Sequence, residues 1–201
     1  FSLCEYGCEN VSAWGNLVHG QSWRTTGDVF DTWPSISMAI EKQRRLFPYS
    51  GPGAWNDPDM LCVGKMAWNG FQGSRLAPNE QYTHLSLWAL VASPLMIGCD
   101  MTKLDAFTYA LLSNDEVIAI DQDPLGAGAG VVDAGDDWEI WARPLANGSI
   151  AAGLYNKALK EQTIVFDMEK LGLLCKWTVR DVWRQADEGV FLGTYSQSVP
   201  G

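Results

Sequence analysis

The sequence predicts an α/β region with a parallel sheet over residues 1–125, followed by an antiparallel β domain over residues 126–201. In the first region a short apolar strand, a carboxylate and a helical segment recur about four times, which is typical of parallel sheets. A glycine-rich stretch from Ala127 to Gly130 then interrupts the pattern. Beyond it, apolar and polar residues alternate with a period of two, as they do in antiparallel β-sandwiches.

The strands and helices of the first region follow from these patterns in chain order. The predicted strands are Phe1–Cys4, Gln21–Arg24, Ala54–Leu61 and a buried strand over Pro94–Gly98. The predicted helices cover residues 11–18, 32–47, 78–92, 104–112 and 115–120. In the second region, alternating segments predict strands at residues 138–143, 149–155, 162–166 and 177–183.

Carboxylates stand at or just beyond the ends of the predicted parallel strands, at Glu5, Asp28, Asp59 and Asp100. Four βα units are half of an eight-fold barrel, and the active-site groups of such barrels lie at the C-terminal ends of the strands. The same repeat also fits an open, doubly wound sheet. The pattern by itself therefore leaves both architectures open.

Composition and charge exclude several classes of partner. A formal net charge of −10 argues against nucleic acid and against an anionic membrane surface. The longest apolar run, residues 85–98, is interrupted by polar residues and proline and is too short to span a membrane. The charge fits a neutral substrate as well as any other.

Five cysteines form no CxxC pair, and the two histidines lie far apart in the sequence. This spacing provides no zinc site, so the sequence predicts neither a metal nor another cofactor. We expect buried free thiols at the cysteine positions, which are Cys4, Cys8, Cys62, Cys99 and Cys175.

Five motifs resemble the α-galactosidases of glycoside hydrolase family 27, and they extend through most of the chain. They are residues 1–7, 22–28, 51–61, 94–100 and 111–114. The second and third are long and specific, and the resemblance weakens after Gly126. It implies the C-terminal half of a (β/α)8 TIM barrel followed by an antiparallel β-sandwich, and retaining hydrolysis of terminal α-galactosides.

The resemblance also implies roles for the residues of the second and third motifs. Asp28 matches the acid/base, which must begin the catalytic cycle protonated. Arg24 matches the arginine that contacts the sugar 2-hydroxyl. Asp59 matches a carboxylate that binds sugar hydroxyls, with Met60 packing beside it, whereas Asp57 is expected to be a structural partner within the loop.

The first motif matches the wall of the sugar site. Cys4 and Tyr6 match residues near the sugar 2-position, although the family usually has tryptophan where Tyr6 stands. Glu5 matches the position that distinguishes galactose binders from N-acetylgalactosamine binders, because a bulky acid leaves little room for an acetamido group.

The family's nucleophile, an aspartate in a Lys-x-Asp motif on the fourth strand, has no counterpart here. Residues 103–105 fit that motif by letter only, because they follow the last barrel strand and open a helix. We therefore expect a fragment or processed chain that supplies the acid/base, is inactive alone and requires the N-terminal half of the barrel. The resemblance and two glycosylation sequons, at Asn10 and Asn147, imply a secreted, periplasmic or lysosomal/vacuolar protein.

Three alternatives keep the fold and change the substrate: an α-N-acetylgalactosaminidase, a β-L-arabinopyranosidase or an isomaltose-releasing enzyme. A fourth is a non-catalytic fragment that binds sugar through the tryptophan-rich rim together with Arg24, Asp59 and Glu5. A metal-dependent barrel hydrolase is disfavoured by the scarcity of histidine.

Overall fold

Three short parallel strands lie at the centre of the first region. They are β1 (Ser2–Leu3), β2 (Ser22–Arg24) and β3 (Trp55–Asp57), in the order β1-β2-β3. A parallel bridge between Leu61 and Ile97 adds a further segment. The computed structural model describes residues 1–201.

Helices connect these strands and cover the sheet, as the βα pattern predicts. They are α1 (Val11–Trp14), α2 (Trp33–Gln43), α3 (Pro78–Leu90), α4 (Ala106–Leu112) and α5 (Asp115–Asp121). Side chains cap their first turns: Glu80 accepts the Ala77 N–H at 2.7 Å, and Asn114 accepts two N–H groups of α5. No helix combines the length and the apolar character that crossing a membrane requires.

A small hairpin stands between β3 and α3, formed by β4 (Lys65–Met66) and β5 (Gln72–Gly73). The predicted antiparallel region follows α5. β6 (Gly130–Ala134), β7 (Trp138–Pro144) and β8 (Ile150–Asn156) form one antiparallel sheet. β9 (Gln162–Asp167) pairs with β12 (Thr194–Val199), and β10 (Trp177–Asp181) pairs with β11 (Ala186–Phe191).

Several predicted elements in the first region are wrong in detail. Residues 94–98 form a single parallel bridge, between Ile97 and Leu61, in place of a buried strand, and the Met96 N–H turns back to the Pro94 carbonyl at 2.9 Å. Met96 and Ile97 are 59% and 41% exposed. The helix predicted over residues 32–47 ends at Gln43, and a short 3-10 turn follows at Phe47–Tyr49.

The expectation of buried thiols is also wrong for most of the cysteines. Cys62 is buried and Cys99 is half-buried, whereas Cys4, Cys8 and Cys175 are exposed. Cys4 and Cys8 lie in the segment between β1 and α1, where both side chains face solvent. All five thiols are free.

The main hydrophobic core joins the helices to the antiparallel region. It includes Trp88 of α3 and Trp141 of β7, both fully buried. Hydrogen bonds also join α3 to the antiparallel region. Buried Arg143 donates to the Ala89 carbonyl at 3.0 Å, and the Trp183 indole donates to Ser86 Oγ at 2.9 Å. Helix α3 is therefore fixed between the parallel sheet and the β domain.

Gly7 brings the loop after β1 against the end of β2. Its φ is +77°, and a Cβ atom added there would lie 2.1 Å from the Thr25 carbonyl oxygen. The Gly7 N–H donates to the Arg24 carbonyl at 3.0 Å. Only glycine satisfies both the left-handed backbone and this close approach.

Substitution of Gly7 tests whether its close contact with the Thr25 carbonyl matters for stability. Gly7→Ala is expected to lower the free energy of unfolding by at least about 2 kcal/mol, because the added methyl both strains the backbone and overlaps a carbonyl. Chemical denaturation measures the change. Gly53→Ala is the matched control, since its φ is also +77° but its Cβ would meet no atom within 4 Å. Equal losses in the two variants would show that the close approach does not matter.

Asp121, the last residue of α5, is a buried carboxylate beside a cavity of about 370 Å³. Burial raises the pKa of Asp121 to about 6, although a hydrogen bond from Gln122 and the charge of Arg143 act in the opposite direction. The folded state therefore binds this proton more tightly than the unfolded state does. The contribution to stability is present below pH 4 and is lost as the pH rises through 6.

Asp121→Asn removes the ionisation and is expected to stabilise the protein by about 3 kcal/mol above pH 7, with no gain below pH 4. Thermal unfolding at pH 4 and pH 7.5 measures the difference. Asp136→Asn, in the turn between β6 and β7 where the carboxylate is exposed, serves as control. A stabilisation of Asp121→Asn that does not depend on pH would contradict the assignment.

Candidate active site

The C-terminal ends of β2 and β3 bring three charged side chains together. Arg24 ends β2 in register with Asp57 of β3. Its Nη2 lies 2.9 Å from Asp59 Oδ2 and 3.3 Å from Asp28 Oδ1, and it also donates to the Gly27 carbonyl at 2.8 Å. One guanidinium thus links two carboxylates at the edge where parallel strands end.

Asp59 is held rigidly by hydrogen bonds on every side. Its Oδ2 accepts the Val29 N–H at 2.9 Å, and its Oδ1 accepts the Met60 N–H at 2.8 Å. Its own N–H donates to Asp57 Oδ1, and its carbonyl accepts the Trp88 indole N–H at 2.7 Å. These bonds fix a residue whose φ of +85° is strained for a side chain with a Cβ.

Asp57 lies below the ion pair and is buried, which raises the pKa of its carboxyl. Its backbone also orders the neighbouring loop, since the Asp57 carbonyl accepts the Thr25 N–H at 2.8 Å and the Thr25 hydroxyl at 3.1 Å. Asp57 therefore supports the loops that carry Arg24 and Asp59.

Asp28 is in a different environment from the other two carboxylates. Its side chain is 66% exposed, and its contact with Arg24 is its only ion pair. Nothing in the chain covers its carboxyl, so Asp28 can meet a ligand above the strand ends. Arg24, by contrast, is largely buried, and its Nε has no partner within the chain.

The loop after β1 supplies the next wall of the site. Tyr6 is half-exposed with a φ of 52°, and the Arg24 Cζ lies 5.5 Å from the centroid of its ring, within cation–π range. A hydrogen bond with Cys4 raises the pKa of Tyr6, and the negative charge of Asp28 adds to this effect. Cys4, Tyr6, Arg24 and Asp28 therefore share one surface.

Glu5 and Met60, which were also expected at the sugar site, take no part in this group of contacts. Glu5 is exposed and makes no side-chain hydrogen bond or ion pair. Met60 packs tightly, since a Cβ added at Gly98 would lie 2.6 Å from its sulfur. The carboxylate of the rejected Lys-x-Asp motif, Asp105, accepts the Thr108 N–H at 2.7 Å as the N-cap of α4.

Asp31 is a site residue that the sequence patterns did not single out. It is fully buried and accepts hydrogen bonds from three parts of Arg75, from the Trp68 indole at 2.9 Å and from Asn69 at 3.2 Å. Burial alone would raise its pKa, but the bonds from Arg75 and Trp68 outweigh burial and lower the pKa to about 2. Its partners lie 37 to 44 residues away, so no local spacing could reveal it.

No group of three or more His, Cys, Asp and Glu side chains is arranged to hold a metal ion. The strand ends bring together groups of other kinds. A cation, a fixed carboxylate and an aromatic ring can bind hydroxyls and a ring face, and a second, exposed carboxyl can transfer a proton.

Comparisons with known proteins point to one family. A family model described as α-galactosidase A matches residues 9–123, and one described as the α-galactosidase C-terminal β-sandwich domain matches residues 135–201. An α-galactosidase of Cyamopsis tetragonoloba is 38% identical over 201 residues, which is 99% of this chain and 47% of that protein. The chain thus spans about half the length of the curated relatives that it matches.

Solved structures have the same fold. α-Galactosidase I of Mortierella vinacea superposes with a TM-score of 0.91 at 26% identity, covering 100% of this chain and 55% of its own. A family 27 β-L-arabinopyranosidase of Geobacillus stearothermophilus, in complex with arabinose, gives 0.88 at 26% identity, covering 96% and 45%. The chain belongs to the melibiase family, the α-galactosidases of glycoside hydrolase family 27.

Proposed function

We propose that this chain is the C-terminal part of a retaining α-galactosidase. Residues 1–125 would form the second half of the (β/α)8 barrel, and residues 126–201 the C-terminal β domain. The observation that carries the proposal is the Arg24 guanidinium, held 2.9 Å from fixed Asp59 and 3.3 Å from exposed Asp28. The family membership and the partial coverage of the relatives support it.

In this proposal Asp28 is the acid/base. Its carboxyl protonates the glycosidic oxygen while a carboxylate nucleophile attacks the anomeric carbon and the bond to the leaving group breaks. Asp28 then removes a proton from the water that releases the sugar, so that the two inversions give net retention. Arg24 stabilises the Asp28 carboxylate that exists between the two steps.

The nucleophile is proposed to come from an N-terminal half of the barrel. It must stand about 5–5.5 Å from Asp28. Asp59 does not fit the role, because both of its oxygens already accept hydrogen bonds or pair with Arg24. Asp105 does not fit either, since it caps a helix.

The remaining residues are proposed to bind the sugar. The Arg24 guanidinium and the Asp59 carboxylate would hold hydroxyl groups, with Met60 beside them. Tyr6 and Cys4 would form the wall near the 2-position. Glu5 would oppose an acetamido group there, which favours a galactoside over an N-acetylgalactosaminide.

A second candidate is a β-L-arabinopyranosidase, which the likeness to the Geobacillus enzyme favours. β-L-Arabinopyranose is α-D-galactose without its exocyclic hydroxymethyl group, so one site can suit either sugar. Rates of the complete enzyme on aryl α-galactoside, aryl β-L-arabinopyranoside and aryl α-N-acetylgalactosaminide separate the candidates. Galactose binding without turnover of any of them would favour a non-catalytic sugar-binding protein.

Asp28→Asn in the complete enzyme tests the acid/base role. An amide cannot supply the proton, so kcat/KM for an alkyl galactoside should fall by about 10²- to 10⁴-fold. The loss should be smaller for the bond-breaking step of a dinitrophenyl galactoside, whose leaving group needs no proton, and azide should yield the α-galactosyl azide. Asp136→Asn is the control. Equal losses on both substrates in pre-steady-state assays would contradict the role.

The isolated chain of residues 1–201 is expected to have no hydrolytic activity, because the covalent step lacks its attacking group. Release of nitrophenol from an aryl α-galactoside measures this directly. Addition of the N-terminal half of the barrel should restore turnover. Activity of the isolated chain would show that one of its own carboxylates is the nucleophile.

A further inference from the structure

The backbone of Asp59 is held on both sides by buried side chains. Its N–H donates to Asp57 Oδ1 at 2.8 Å, and its carbonyl accepts the Trp88 indole N–H at 2.7 Å. Asp59 needs this support because its φ of +85° lies in the left-handed region, which is costly for a residue with a Cβ atom. Loss of either bond therefore lets the backbone relax and the carboxylate turn away.

The direction of the Asp59 carboxylate follows from this backbone conformation. Its Oδ2 lies 2.9 Å from Arg24 Nη2 and accepts the Val29 N–H at 2.9 Å, and its Oδ1 accepts the Met60 N–H at 2.8 Å. These partners are fixed in place by their own strands and loops. The ion pair with Arg24 therefore keeps its geometry only while Asp59 stays in the left-handed conformation.

Trp88 is itself held firmly within the main core. It is fully buried, and its ring meets that of His84, one turn earlier in α3, edge-to-face with the centroids 4.1 Å apart. Burial lowers the pKa of His84 to about 3, so its ring is neutral, and its Nε2 accepts the Cys62 N–H at 3.0 Å. Two residues of α3 thus hold the carbonyl of Asp59 and the N–H of Cys62, at the two ends of one short segment.

We propose that Trp88 is a positioning residue for sugar binding. Its indole N–H holds the Asp59 backbone in the one conformation that directs the carboxylate at the hydroxyls of the sugar. The inference rests on the proposed function, and it assigns a role to a residue that cannot touch the sugar, because it is fully buried. Asp59 binds hydroxyls in the ground state and the transition state alike, so its displacement weakens binding and leaves the chemical step unchanged.

The test removes the indole N–H in the complete enzyme. Trp88→Phe does so by mutagenesis, and 3-benzothienylalanine at position 88 replaces the N–H by sulfur while keeping the size of the ring, which preserves folding. Both variants should raise the Kd of galactose and the KM of an aryl α-galactoside by a common factor of at least about fivefold, the effect of one lost buried hydrogen bond. The value of kcat should stay within about twofold. Calorimetry measures the Kd, and steady-state kinetics measure KM and kcat.

Trp141→Phe is the matched control, because Trp141 is also fully buried and its indole donates to Glu139 at 2.9 Å, within the antiparallel region. It should lower the Tm as Trp88→Phe does and leave the Kd of galactose unchanged. Unchanged galactose affinity in both Trp88 variants, an equal loss in the control, or a fall in kcat at constant KM would overturn the positioning role. A wild-type complete enzyme that neither binds galactose nor hydrolyses the galactoside would instead overturn the proposed function.

Discussion

The ion pair between Arg24 and Asp59 is the interaction on which the rest of the site depends. Both side chains are nearly buried, so removing either would leave a charge without its partner in a medium of low dielectric constant. Backbone groups of the surrounding loops supply the remaining hydrogen bonds of this ion pair. Val29 and Met60 direct N–H groups at Asp59, and the Gly27 carbonyl accepts from Arg24. The loops after β2 and β3 are ordered because they complete the hydrogen bonds of these two charges.

The aspartates around this pair show how burial assigns different tasks to one residue type. Asp31 and Asp59 are buried, and every carboxylate oxygen has a partner, so they hold loops in place. Asp57 is buried with fewer partners, and its pKa is raised. Asp28 stands in solvent with one cation beside it, and it is the carboxylate that a ligand can reach. Environment rather than residue type thus separates fully bonded, buried carboxylates from an exposed one.

The antiparallel domain contributes to the site indirectly, through α3. This helix presents Trp88 to the Asp59 carbonyl on one side and contacts β7 and β8 on the other. At the edge of this contact, buried Glu139 of β7 pairs with Arg44 at 3.3 Å and with Lys157 at 2.9 Å. Buried charges with several partners tolerate little displacement, because each lost bond leaves an unsatisfied group. The α/β region and the antiparallel domain therefore stabilise one another through α3, which also contacts Asp59.

The sequence by itself determined the parallel strands, the alternating β region and the motif that holds Arg24 and Asp28, because period and short spacing are local properties. It failed at Pro94–Gly98, where an apolar run predicted a buried strand but the chain turns locally and keeps only one parallel bridge, to Leu61. Only the tertiary structure brought Asp31 to Arg75 and Phe30 to Trp68, which are 44 and 38 residues apart along the chain. Such contacts depend on which loops leave neighbouring strands on the same side of the sheet, and no window of sequence contains that information.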